Sequence, residues 1–233
     1  MALRHLRLVA VNIDGVMLND TFSPVIHRFV VNNGGVYTAE LERAVFSQPR
    51  LKAAAALGLP GSPEEVAEAY FIERERYLRD HPVHVLDGAD RLLGRLSRLD
   101  VPLICYGGLE RPHFDLHLSR YAHYFTQPRY VCTDSFRPGV REISRDLFGL
   151  RSDQVLFIDD VARVAETART LGTPFIGHPS SYGHSFQEQL MHEVGVRHLV
   201  RSLDEIDESL LHILDSEAAE GSVWQDTRVA AQV

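Results

Sequence analysis

Two apolar runs that each end in polar and acidic residues constrain this chain more than any other feature. Leu8-Val9-Ala10-Val11-Asn12-Ile13-Asp14-Gly15-Val16 leads small and apolar residues into Asn12 and Asp14, and Val155-Leu156-Phe157-Ile158-Asp159-Asp160 repeats the pattern. A short, unbroken apolar run suits a strand covered on both faces, as in a parallel sheet flanked by helices. Side by side, two such strands bring Asn12, Asp14, Asp159 and Asp160 to the carboxyl edge of the sheet, where open α/β sheets bind ligands. Gly15 gives the chain room to turn sharply after Asp14.

The stretches between these runs supply the rest of an α/β pattern. Strands are expected at 6–11, 101–105, 130–132, 155–158 and 174–176, with helices at about 111–121, from Pro138 to Phe148, and at 161–171. The pattern resumes after the insert at His84-Val85-Leu86, with Asp87 capping a helix whose apolar face is Leu92, Leu93, Leu96 and Leu99. Val196 to Val200 reads as a short edge strand and Leu203 to Leu214 as a final helix, after which the periodicity fades into a tail that Trp224 docks. Between Phe22 and about Asp80 the period is helical throughout, with segments from Ser23-Pro24 to Asn32, around 38–46, around 49–57, and from Ser62. Ser62-Pro63-Glu64-Glu65 is a capping box with proline at the first helical position. The division expected is an α/β core of residues 1–20 and 84–215, a helical insert of 21–83, and a tail from 216 to 233. The aromatic residues Phe29, Tyr70 and Phe71 of the insert read as its own core.

Composition narrows the function classes. A formal charge of −8, with Lys52 the only lysine among 24 basic residues, argues against a nucleic-acid partner. No apolar run is long enough to span a bilayer and no signal-like segment opens the chain, so a cytoplasmic protein without a membrane partner is expected. Cys105 and Cys132 each lie in apolar runs and read as reduced core thiols. A homodimer is left open.

Taken in order, Asn-Ile-Asp-Gly-Val, an apolar strand ending Tyr106-Gly107-Gly108, Arg137-Pro138 before a helix, and Phe-Ile-Asp-Asp before an alanine-rich helix resemble the haloacid dehalogenase (HAD) superfamily. The resemblance covers nearly the whole chain and implies a Rossmann-like core, with the insert standing where that superfamily carries its helical C1 cap. It also implies roles. The family's nucleophilic Asp is replaced by Asn12, and its general acid and base matches Asp14. Tyr106 stands in the place of a phosphate-binding Ser or Thr, and Arg137 in the place of a Lys. The acidic pair that holds magnesium matches Asp159 and Asp160. Asn12, Asp14, Asp159 and Asp160 are thus the implied metal set, for a magnesium site weakened by the lost charge.

The replacements redirect the chemistry. A carboxamide oxygen is a poor nucleophile, so a phosphoaspartate-type intermediate is not expected. Arg137 offers a planar fork for an anion, with Gly107 and His178 beside it as substrate contacts. His178 opens the loop His178 to His184 beyond the last major strand and is also a candidate proton shuttle. The leading reading is a divergent enzyme acting on a small anionic metabolite, phosphorylated or not, with Asp14 as general acid or base and Asn12 and Tyr106 completing the catalytic set. The alternatives are a catalytically silent binding or regulatory protein, and a phosphatase in which water attacks directly.

Overall fold

The computed structural model describes residues 3–225. Five strands, β1 (Leu8–Asn12), β2 (Leu103–Gly107), β3 (Tyr130–Cys132), β4 (Val155–Asp159) and β5 (Phe175–Gly177), form one sheet in the order β3-β2-β1-β4-β5. Every pairing is parallel. The chain steps from β1 to β2 on one side and returns to β4 on the other, so the crevice of the topological switch opens at the carboxyl ends of β1 and β4. Register sets Asn12 beside Tyr106 and Val11 beside Ile158.

The alternation of side chains along β1 explains why the run is apolar on both sides. Val9, Val11 and Ile13 enter one cluster, with Leu92, Leu93 and Leu96 of α5 (Ala89–Leu96) and Leu211 and Leu214 of α9 (Glu208–Glu220). Leu8 and Ala10 enter the other, with Val164 and Ala165 of α7 (Ala162–Leu171) and Leu190 and Met191 of α8 (Gln187–Val194). The fold is therefore a three-layer α/β/α sandwich.

Four helices fill the segment after β1: α1 (Phe22–Asn32), α2 (Ala39–Val45), α3 (Arg50–Ala56) and α4 (Pro63–Asp80). The capping box of α4 is present, with Ser62 N–H donating to Glu65 at 2.8 Å and Glu65 N–H to Ser62 Oγ at 3.2 Å. Phe29, Ala54, Val66 and Ala67 form a small cluster inside this helical segment. No helix among the described residues is long and apolar enough to cross a membrane.

Several local expectations are corrected. The cap of α5 is Gly88, in the left-handed region at φ 88°, and Asp87 does not cap it. The helix after Pro138 begins only at Val140, because Gly139 turns at φ 88°. Residues 196–200 contribute a single bridge, Gly177 to Leu199, and no strand. The final helix starts at Glu208, with Asp207 as its cap, and runs on to Glu220, well into the expected tail, and α8 is a helix that the sequence pattern does not predict. Trp224 docks as expected, its Nε1 donating to Thr173 O at 2.9 Å. Residues 226–233 of the expected tail lie outside the described residues. Cys105 and Cys132 are free thiols on neighbouring strands. The helix α6 (Arg111–Leu118) follows β2.

Candidate functional site

The sheet edge collects Asn12 and Asp14 from the end of β1, Tyr106 from β2, and Asp159 and Asp160 from the end of β4, all buried. Asn12 is the hinge of the cluster. Its Nδ2 donates to the Asp14 carbonyl and to Asp160 Oδ1, both at 2.8 Å, while its Oδ1 accepts from Ile13 N–H at 2.9 Å. Two acceptors on one side and a donor on the other fix which end of the amide is nitrogen. Asp159 Oδ1 accepts from Val161 N–H at 2.7 Å, and the Tyr106 hydroxyl donates a very short hydrogen bond to Asp159 Oδ2. Gly15, at φ 83°, lies so close to Asp160 that a Cβ there would come within 2.1 Å of its Oδ2.

Burial governs the charges. It pushes the Asp159 carboxyl up to about 6, against the opposing pull of the Tyr106 hydroxyl and the Val161 N–H. Asp160 is raised as well, by burial and then by the charge of Asp159 beside it. The Tyr106 phenol is held protonated by the same two causes and so stays a donor.

Asp14 has a partner that sequence reasoning missed. His113 Nε2 lies 2.8 Å from Asp14 Oδ1, and His117 packs edge-on to His113 at 4.9 Å between ring centroids. His113 occupies the first turn of α6, and helical side chains lean back toward the amino terminus, here toward the strand ends. That position just after Gly107-Gly108 and Arg111-Pro112 was the signal available.

Over this edge sits a cavity of about 140 Å³. Its floor holds Asn12, Asp14, Tyr106, Asp159, Asp160 and Arg137, and its walls are largely apolar, with Phe22 and Ile26 from α1 and Val45 and Phe46 from α2 and its end. Tyr70 and Phe71 of α4 line it too; Tyr70 also packs on the helical segment's own core, edge-on to Phe29 at 5.8 Å between ring centroids, whereas Phe71 does not join that cluster. The Tyr70 hydroxyl is buried without a hydrogen-bond partner, and so is Arg137 Nε, with Arg137 in no ion pair among the described residues. Gly108 makes room for that guanidinium, since a Cβ there would come within 1.9 Å of Nη2.

The substrate contacts expected beside Arg137 are placed otherwise. Gly107 is packed against Ile13, and its carbonyl accepts from Thr133 Oγ1 at 3.0 Å, so that Gly108 lines the cavity in its stead. His178 Nδ1 lies 2.8 Å from Gly15 O, behind the turn and outside the cavity lining. His184 stacks on His27 at 4.3 Å, away from His178.

The implied metal set can be tested on its donors. Magnesium takes oxygen ligands, and the oxygens nearest Asn12 that would serve are the Asp14 carbonyl and Asp160 Oδ1. Both already accept from Asn12 Nδ2, so each would have to give up that hydrogen bond to ligate a cation. Among the described residues no group of three His, Cys, Asp or Glu side chains is arranged to hold a metal ion. As folded, this donor set does not fit magnesium.

No protein-family model matches the chain, and no curated protein matches it. Solved structures do match. A HAD hydrolase of family IA, variant 3, from Entamoeba histolytica superposes with a TM-score of 0.65 at 15% identity, covering 91% of this chain and 100% of that one. A conserved haloacid dehalogenase-like protein of unknown function from Agrobacterium tumefaciens gives 0.59 at 17% identity, over 89% and 99%. A HAD family hydrolase from Deinococcus radiodurans, solved with bound phosphate and sodium, gives 0.56 at 16% identity, over 96% and 99%. These likenesses establish a haloacid dehalogenase-like, Rossmann-like fold over most of the chain.

Proposed function

We propose that this chain binds a small organic anion in the crevice between its inserted helices and the acidic sheet edge, and that it transfers no phosphoryl group through residue 12. In this reading residues 21–83 form the cap, and residues 1–20 with 84–215 form the core. The observation that carries it is the double hydrogen bond of Asn12 Nδ2 to Asp14 O and Asp160 Oδ1. The amide is not only a poor nucleophile; it is also locked as a donor, with its oxygen turned onto a backbone N–H. Asp159 is engaged by Tyr106 and Val161, and Asp14 by His113. The acidic floor thus holds itself together by hydrogen bonds, and Arg137, whose charge acts on Asp159, forms no ion pair with it among the described residues. The phosphate held by the Deinococcus protein lends support to an anion as the class of ligand.

The Asp14–His113 contact favours a second reading, an enzyme in which that pair moves a proton. One experiment separates the two. Phosphate release is followed from a panel of phosphorylated metabolites with magnesium for the unmodified chain and for Asn12→Asp, and magnesium is titrated calorimetrically into both. The unmodified chain is expected to release none and to bind magnesium at least about tenfold more weakly than Asn12→Asp, which adds a charge and removes both amide hydrogens. Release by the unmodified chain overturns the binding reading, and loss of that release on Asp14→Asn puts the enzyme in its place.

A further inference from the structure

Building on that binding reading, we infer that the ligand is a small monocarboxylate with an apolar body, and not a phosphate ester. Three features of the cavity point there. The first is its size: about 140 Å³ is close to the volume of an engineered apolar cavity of about 150 Å³ that takes up benzene. A single ring or a chain of a few carbons fills it. The second is its wall, where Phe22, Ile26, Val45 and Phe46 offer no polar side-chain atom to such a body.

The third is the arrangement of charge at the floor. Arg137 lines the floor and makes no ion pair among the described residues, and a planar guanidinium fork matches a carboxylate bidentately. The other arginine at the cavity, Arg50, is already placed over the Phe71 ring at 4.9 Å and beside Asp134 at 4.0 Å. Asp14, Asp159 and Asp160 lie on the same floor, and the Asp14 carbonyl and Asp160 Oδ1 are bridged by the Asn12 amide. A monoanion meets one fork; a phosphate dianion meets the same fork and more repulsion.

The test uses the full chain and isothermal calorimetry, with thermal shift as a second readout. Benzoate and hexanoate are compared with benzamide and hexan-1-ol, which keep the body and remove the charge, and with phenyl and hexyl phosphate, which keep the body and double the charge. The carboxylates are expected to bind at least about tenfold more tightly than either comparison set, equivalent to about 1.4 kcal/mol. Arg137→Met should abolish the preference for acid over amide. Gly108→Ala, which pushes the guanidinium aside and leaves the charge in place, should reduce it. Circular dichroism establishes that each variant is folded, and Arg137→Met carries the test if Gly108→Ala is not. Amides binding as tightly as acids would overturn the inference, as would an absence of binding by the carboxylates. Tighter binding of the alkyl phosphates would overturn it too, while leaving the broader reading of a small-anion binder intact.

Discussion

At the scale of single residues, the site turns on one exchange of oxygen for nitrogen. With an amide at position 12, the Asp14 carbonyl and Asp160 are bridged by neutral hydrogens, and the acidic cluster needs no cation to hold it. The cost is burial of carboxylates, which appears in their protonation. Asp159 titrates at about 6 in the folded protein, against 3.8 for an ordinary aspartate. Between those values the folded chain keeps a proton that the unfolded chain has released, so stability falls as pH rises through the window. Asp160, raised by burial and by Asp159, acts in the same direction. Between about pH 4 and about pH 6 the unmodified chain should therefore lose on the order of 3 kcal/mol relative to Asp159→Asn. Calorimetric melting curves across that range check this; parallel curves for the two proteins would contradict it. The types of Asn12, Asp14 and Asp159 were legible at their strand ends. The role of Asn12 was not, because which end of an amide meets which neighbour depends on residues 148 positions away.

At the scale of elements, local codes worked where an element is stabilised from within. The capping box put the start of α4 at Ser62, and its side-chain and backbone bonds are both formed. They failed where a neighbour decides. α8 begins on a buried Gln187 whose Oε1 accepts from Ala162 N–H of α7 at 2.7 Å, a partner 25 residues distant. The link between α2 and the turn before α8 is of the same kind. Glu42 is fully buried and accepts from Ser185 Oγ at 3.0 Å and Phe186 N–H at 2.9 Å, joining the inserted helices to the core near the cavity. Glu42→Ala should cost about 1–3 kcal/mol, since the Phe186 N–H and the Ser185 hydroxyl are left unsatisfied, and Glu42→Gln should cost less. Urea unfolding monitored by circular dichroism measures both, and equal losses would show that packing rather than the hydrogen bonds holds the link.

At the scale of the whole molecule, the two ends of the described chain are tied by one carboxylate. Asp215 of α9 accepts from the N–H groups of Arg4 at 2.8 Å, His5 at 2.9 Å and Leu6 at 2.8 Å, just ahead of β1. Burial works against its charge, yet the three N–H groups prevail and hold its carboxyl below the usual value. Asp215→Ala should lower global stability by about 3 kcal/mol while leaving the carboxylate affinity of the cavity unchanged. Unfolding and calorimetry on the same preparation test this. A loss of affinity in step with stability would mean that the site is not mechanically separate from the chain ends.

The sequence by itself determined the five strands of the sheet, though not the absence of a sixth at 196–200, because a parallel sheet covered on both faces demands unbroken apolar runs and these can be read from composition and length. It determined too that Asn12, Asp14, Asp159 and Asp160 meet at one edge, because they end strands of such a sheet. Only the tertiary structure decided what these residues do to one another. The Asn12 bridge, the His113 contact with Asp14, the unpaired guanidinium of Arg137 and the apolar walls from α1, α2 and α4 all join residues far apart in the chain. Hydrogen-bond direction and cavity shape depend on distances of a few tenths of an ångström between such residues, and periodicity carries no information at that scale.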